Sequence, residues 1–361
     1  MPKKRAVLGL FLQGGKLDII TDSKDICRPI NTKDKKRPLF RIITNSCEIR
    51  CEFFHAVTDG SGAMEFVKAL MLRYLQLCGC EVNDAKSFGI KEYKEPPKRS
   101  EFEDDFLKIY NGSKGAARKG KKAYQIKMNK ENEKFYRDEV CIPLSNLKKL
   151  TQTYDCTVTQ FITAAYAMAL INMYNDDCSS SKKPLIISIP VNLRKYWKSG
   201  TLRNFSSFIT ANILPEGKMS FEAVLNEIKK EMNEKISKEQ LYSDVCRNVA
   251  DEKMLISRLA PSFLKKPVMK TAFRLFGERK YTSTVTNLGS VKLPQEMEEH
   301  INMITVTLGE TYINPINCAV VSFADTLCAT LSFAGNGFEI VRYFMDILQS
   351  KGLNVSCAGA I

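Results

Sequence analysis

Only two histidines occur in the 361-residue chain, His55 and His300. The first lies in EIRCEFFHAVTDGSGAMEFVKAL, residues Glu48 to Leu70, where an apolar run ends, Asp59 follows four residues on, and Gly60-Ser61-Gly62 comes next. A neutral imidazole takes a proton from an attacking hydroxyl, amine or thiol near pH 7. Asp59 has two roles open to it at this spacing. It can orient the ring as the acid of a triad, or it can point away and pin the turn through an arginine. Gly60 and Gly62 permit a tight turn and the close approach of another segment. His300, in MEEHI beside Glu296, Glu298 and Glu299, reads as a surface helix or loop residue.

Metal chemistry finds less support. The chain has 12 cysteines. Cys47 and Cys51 are separated by three intervening residues, Cys78 and Cys80 by one, and neither spacing repeats as in a zinc ribbon. A site from Cys47, Cys51 and His55 lacks a fourth ligand. The cysteines are expected to be free, buried thiols in a reducing compartment, and no metal is expected.

Several elements must position His55. LFRIIT (Leu39 to Thr44) and CEIRCEFF (Cys47 to Phe54) flank Asn45-Ser46, a hairpin signal. In the second run Cys47, Ile49, Cys51 and Phe53 alternate with Glu48, Arg50 and Glu52, which predicts a strand with one buried face. After Gly62, Met64, Val67, Leu70, Met71, Tyr74 and Leu75 recur at helical steps, with Ser61 as the N-cap. Residues from about Asp84 to Lys134 show no sustained period and read as a long connection. Beyond it, a strand and short helix precede a long apolar helix from about Thr159. Pro184 to Arg194 is a buried strand ending in a polar turn. SFEAVLNEIKKEMNEKISKEQL is a helix with Phe221, Val224, Leu225, Ile228 and Met232 on one side. YTSTVTNLGSV, NMITVTL, NCAVVSFAD and TLCATLSFAG are strand candidates, and FEIVRYFMDILQS is a closing helix. Mixed helices and strands predict an α/β or α+β class.

Hydrophobic residues make up 44% of the chain and charged ones 26%, the profile of a globular protein. No apolar run is long enough to cross a bilayer. MPKKRAVLGLFLQGG lacks a signal-peptide pattern, so a cytoplasmic location is expected. The formal net charge is +14. From Ser113 to Lys134 there are eight Lys/Arg against two Glu, interrupted by glycines, which reads as a solvated loop or linker. No nucleic-acid motif accompanies it, so no specific nucleic-acid partner is expected; the charge suits an anionic small ligand as well.

HAVTDGSGAMEFVKAL resembles the H-x-x-x-D-G segment of the chloramphenicol acetyltransferase-like superfamily, which includes alcohol acetyltransferases, plant acyltransferases of the BAHD type and peptide-synthetase condensation domains. IPVNLRKYWKSGTLRNFSSFI (Ile189 to Ile209) and TVTNLGSVKLPQEMEEHI (Thr284 to Ile301) resemble later segments of bacterial alcohol acetyltransferase-like proteins, in the same order. The resemblance implies a two-layer α/β (α+β) fold of two related halves with mixed sheets and a channel between them. It places the N-terminal half at 1–112, apparently shortened, a basic linker at 113–135 and the C-terminal half at 136–361. It implies that His55 is the general base for transfer of an acyl group from a coenzyme A thioester to an alcohol or amine, with Thr286 as oxyanion donor. Asp59 then bonds an arginine, Arg194 first and Arg203 second, and Gly60 gives room at the channel. Asn204 and Asn287 read as turn or strand-end residues, and Trp197 as a packing residue. Acyl-coenzyme A is a co-substrate, and no tightly bound cofactor is implied. The alternatives are condensation of carrier-bound thioesters in trans, or a shortened non-catalytic relative that binds a ligand or partner.

Overall fold

The computed structural model describes residues 19–21, 27, 29–31, 37–116, 122–126, 135–176, 182–253, 280–309, 315–335 and 337–358. Most of RAVLGLFLQGGKLDII, most of ARKGKK, and Cys178 lie outside the described residues. The chain forms two compact units. Unit 1 comprises Met1–Ile109, Asn192–Ser206 and Lys292–Asn302; unit 2 comprises Tyr110–Val191, Ser207–Val291 and Met303–Ile361.

Unit 1 has a three-stranded sheet in the order β1 (Ile19–Thr21), β2 (Phe40–Thr44), β3 (Ile49–Phe53). β1 runs parallel to β2, and β2 pairs antiparallel with β3 from Phe40↔Phe53 to Thr44↔Ile49. The hairpin turn forms because Asn45 Oδ1 accepts from the N–H groups of Cys47 (2.8 Å) and Glu48 (2.7 Å), an Asx turn. α1 (Gly60–Leu77) follows and buries Leu72 and Leu75. Its Phe66 packs edge-on against Phe40 and Phe53, centroids 5.2 and 5.5 Å away.

Two expectations fail here. Phe66 covers the end of the hairpin away from the turn. Cys47 and Ile49, next to the turn, are therefore exposed rather than on a buried face. Tyr74 of α1 is 52% exposed; the expected Leu75 is buried, together with Lys68 and Leu72, which the expected stripe did not include.

The connection after α1 is more ordered than its aperiodic sequence suggests. It carries two 3-10 turns, Ala85–Phe88 and Arg99–Phe102, and α2 (Asp105–Ile109). Ile90 is buried, and so is Glu101, which pairs with Lys91.

Unit 2 is built on a seven-stranded mixed sheet of β4 (Phe135–Pro143), β5 (Leu185–Asn192), β6 (Ser206–Ile213), β7 (Ser283–Val291), β8 (Ile316–Phe323), β9 (Thr326–Ala334) and β10 (Ser356–Ala358). Their order is β10-β4-β9-β8-β7-β5-β6. β5–β7 and β7–β8 are parallel, while β8–β9, β9–β4 and β4–β10 are antiparallel. After α3 (Leu144–Thr153) comes α4 (Val158–Asp176), apolar around most of its circumference and buried accordingly, with Phe161, Ala164, Ala165, Tyr166 and Ala167 at 0% exposure. It packs against α5 (Phe221–Lys235) and the closing helix Glu339–Ser350. The expected face of α5, Phe221, Val224, Leu225, Ile228 and Met232, is buried.

The structure corrects three further expectations. The helix expected from Ser220 to Leu241 is interrupted at Ile236, and α6 (Lys238–Lys253) begins beyond the break. NMITVTL is not a strand. β7 and β8 pair in parallel, which requires a crossover, and residues 302–308 are part of it. Finally, residues 122–126 of the basic segment are not a solvated loop. Ala123 and Tyr124 are buried, and Tyr124 donates to the Pro184 carbonyl (2.8 Å) while accepting from Thr282 Oγ1 (2.8 Å).

The described cysteines are free thiols. Cys246, Cys318 and Cys328 are buried as expected, but Cys47, Cys78 and Cys357 are exposed. Burial pushes the Cys51 thiol up to about 12. Among the described residues no group of three or more His, Cys, Asp and Glu side chains could hold a metal. No single described helix is long and apolar enough to cross a membrane.

Candidate active site

The site in unit 1 starts where β3 stops. The Phe54 N–H donates to the Leu39 carbonyl (2.9 Å), adding one step to the hairpin, and the Val57 N–H closes a turn on the Phe54 carbonyl (2.9 Å). His55 sits in this turn and is exposed. Among the described residues its ring has no hydrogen-bond partner.

Asp59 is buried, with 5% exposure, and it is the N-cap of α1 in place of Ser61. Its backbone is extended, with φ −89° and ψ 179°, and its Oδ1 accepts from the Gly62 N–H at 3.0 Å. Serine and aspartate cap equally well, so the choice between two candidates two residues apart is made by tertiary contacts. Asp59 Oδ2 accepts from Arg194 Nη1 at 2.7 Å and from the Phe205 N–H at 2.9 Å. Ser61 instead accepts from Asn192 Nδ2 at 2.9 Å.

The arginine facing Asp59 is therefore Arg194. Asn192 Oδ1 accepts from the Arg194 N–H (3.0 Å) and starts the turn Leu193–Lys195 that aims the guanidinium inward. Arg194 Nη2 also donates to the carbonyls of Thr201 (2.9 Å) and Arg203 (2.7 Å). Arg203 thus contributes a carbonyl, not its guanidinium, and is exposed. Thr58 Oγ1 donates to the Leu202 carbonyl at 2.6 Å, and Phe205, fully buried, stacks edge-on against Phe106 at 5.2 Å. Trp197 is half-buried and lies 6.0 Å from the Tyr196 ring, consistent with packing.

This geometry decides between the two roles of Asp59. Both carboxylate oxygens are already engaged by the helix N-terminus, Arg194 and the Phe205 amide. A carboxylate held in this way pins the turn and does not orient an imidazole. The negative charge also lies where the helix dipole favours it.

Of the two glycines, Gly62 is the one on which the close approach depends. A Cβ there would collide with the Leu202 carbonyl oxygen and with Thr58 Oγ1. Gly60 is exposed at the first position of α1. Gly62→Ala is expected to destabilise the protein by about 1–3 kcal/mol through overpacking, despite alanine's higher helix propensity. The urea midpoint measures this; an unchanged midpoint would contradict the close packing.

Thr286 lies in β7 opposite Ala319 of β8, half-buried. Its hydroxyl has no hydrogen-bond partner among the described residues. The β7–β8 register shifts between Asn287 and Ser290, and Gly289 has φ +82°. Such bulges re-aim side chains and interrupt pairing. The sequence reading missed this one, although Asn287-Leu288-Gly289 carried its signal. Asn287 Nδ2 donates to Thr159 Oγ1 (3.0 Å), and Asn204 accepts from Ser206 Oγ (2.8 Å), so both have structural partners.

No protein-family model and no curated protein sequence matches the chain. Solved structures do. The trichothecene 15-O-acetyltransferase of Fusarium sporotrichioides superposes with a TM-score of 0.51 at 13% identity, over 88% of this chain and 71% of the other. A nonribosomal peptide synthetase with α-methyl-L-serine-AMP bound gives 0.50 at 13% identity, over 94% of this chain and 37% of the other. The wax ester synthase/diacylglycerol acyltransferase of Marinobacter aquaeolei VT8 gives 0.47 at 14% identity, over 88% and 73%. The likeness to the first two of these structures, at TM-scores of 0.51 and 0.50, is one of fold. Within this fold, the Asp59–Arg194 cluster is a support of unit 1, and His55 is the exposed side chain that the supported turn presents.

Proposed function

We propose that the chain is an acyltransferase that moves an acyl group from a coenzyme A thioester to an alcohol or amine, with His55 as general base. The observation that carries this reading is the division of labour in the H-x-x-x-D-G segment. Asp59 is held by structural contacts, while the His55 ring is exposed with no hydrogen-bond partner among the described residues.

In this mechanism a neutral His55 takes the proton from the acceptor as its oxygen or nitrogen attacks the thioester carbonyl. The tetrahedral oxyanion needs a hydrogen-bond donor where charge develops in the transition state. Collapse expels the coenzyme A thiolate, which recovers a proton. The net charge of +14 suits the polyanionic donor. Neither a metal nor a tightly bound cofactor takes part in this scheme.

The test supplies purified protein with acetyl-coenzyme A and a panel of alcohols and amines, and follows free thiol. Acceptor-dependent thiol release supports the proposal. Release only from a thioester on a carrier protein replaces the coenzyme A donor with condensation in trans. No release from either, with ligand binding retained, assigns a non-catalytic role.

A further inference from the structure

Unit 1 also holds a pair of reactive side chains that the proposed mechanism leaves unused. Cys80 Sγ lies 3.3 Å from His300 Nε2, joining positions 220 residues apart in the chain. Cys80 is half-buried and His300 exposed, so a solute can reach both.

Hydrogen bonds hold each side of the pair in place. α1 ends with the Cys78 N–H on the Tyr74 carbonyl (3.0 Å), the Gly79 N–H on Gln76 (3.1 Å) and the Cys80 N–H on Leu75 (3.0 Å). Gly79 has φ +91°, the left-handed residue that turns the chain back after a helix and sets where Cys80 points. On the other side, Met297 is fully buried and anchors the helical turn Gln295–Glu298, and the His300 N–H donates to its carbonyl (3.2 Å). Asn83 Nδ2 donates to Glu296 Oε1 (3.4 Å), a second tie between the same two segments. A thiol within hydrogen-bond reach of an imidazole is the arrangement of an activated nucleophile.

We propose that Cys80 is a nucleophilic thiol that accepts an acyl group from a thioester, with His300 as its base. Cys80 Sγ attacks the thioester carbonyl carbon as its proton passes to His300 Nε2. The tetrahedral species then collapses, and the bond between the carbonyl carbon and the donor's sulfur breaks. The departing thiolate takes the proton back from the imidazolium. The products are an S-acyl Cys80 and a free thiol, with no change in oxidation state. The choice of thioester as donor rests on the acyl-transfer proposal above; the thiol–imidazole pair does not.

The experiment uses the full chain in two parallel reactions. Acetyl-coenzyme A is followed by intact mass and peptide mapping, with neutral hydroxylamine to cleave thioesters, and iodoacetamide is followed by the rate at each cysteine. The expected result is one hydroxylamine-sensitive acetyl group on Cys80. It should be absent in Cys80→Ser, slowed by about 10²-fold in His300→Ala, and retained in His55→Ala. Iodoacetamide should modify Cys80 faster than the more exposed Cys78, and this advantage should vanish in His300→Ala. An alkylation rate at Cys80 no higher than at Cys78, or unchanged acylation in His300→Ala, would overturn the pair. Selective alkylation with no acetyl transfer would overturn the thioester assignment. Retention of Cys80 acylation in His55→Ala keeps the fate of this proposal separate from that of the His55 mechanism.

Discussion

Asp59→Ala is expected to lower the stability of the protein by about 3–5 kcal/mol, because it leaves the partly buried Arg194 guanidinium without its counter-charge. Asp59 and Arg194 have side-chain exposures of 6% and 17%, and they meet at 2.7 Å. The same substitution removes the N-cap of α1, a loss of about 1 kcal/mol on its own, and strands the Phe205 amide. The carbonyls of Thr201 and Arg203 still hold Arg194 but carry no net charge to offset its own. Asp59→Asn should be milder, since asparagine caps well and keeps an acceptor oxygen. Trp197 is the only tryptophan, and it lies in the Asn192–Ser206 segment of unit 1. Its fluorescence in a urea titration therefore reports this cluster. The expected order of midpoints is wild type, then Asp59→Asn, then Asp59→Ala. Equal midpoints would mean that the ion pair and cap do not hold unit 1 together.

Local pattern made much of this fold legible. The period-2 run from Cys47 to Phe53, the turn chemistry of Asn45, the apolar α4 and the buried stripe of α5 each specify an element from its own residues. What escaped depends on partners distant in sequence. Thr58 and Gly62 pack against the Leu202 carbonyl, about which neither side chain carries information. The segment Asn192–Ser206 leaves the seven-stranded sheet between β5 and β6 and joins unit 1, a contact that no local periodicity encodes. NMITVTL alternates like a strand, yet the parallel pairing of β7 and β8 makes it part of a crossover.

The site was legible in a different way. Spacing alone left Asp59 with two roles, and resemblance alone nominated Arg194. The structure adds three hydrogen bonds to the Asp59 carboxylate, from Gly62, Arg194 and Phe205 and none from His55, which disfavours the triad alternative. They also show why Arg203 is not the partner: Asn192 caps the turn that turns Arg194 inward, while Arg203 offers only its carbonyl. The Cys80–His300 pair had no sequence signature, because its two members lie in segments that read as a helix end and a surface loop.

His55→Ala separates catalysis from stability. The side chain is exposed and has no hydrogen-bond partner among the described residues, so its removal should change stability by no more than about 0.5 kcal/mol. Loss of a general base should nevertheless lower acyl transfer by about 10²–10⁴-fold. Asp59→Asn is the opposite case, since its activity should fall only as its folded fraction or turn geometry does. The decisive measurement is the rate of acceptor-dependent free-thiol release from acetyl-coenzyme A by wild type and His55→Ala at matched protein concentration, with urea curves for both. Superimposable unfolding curves with a rate reduced by 10²-fold or more are the predicted result. Equal rates from the two equally folded proteins would contradict the assignment of His55 as the base.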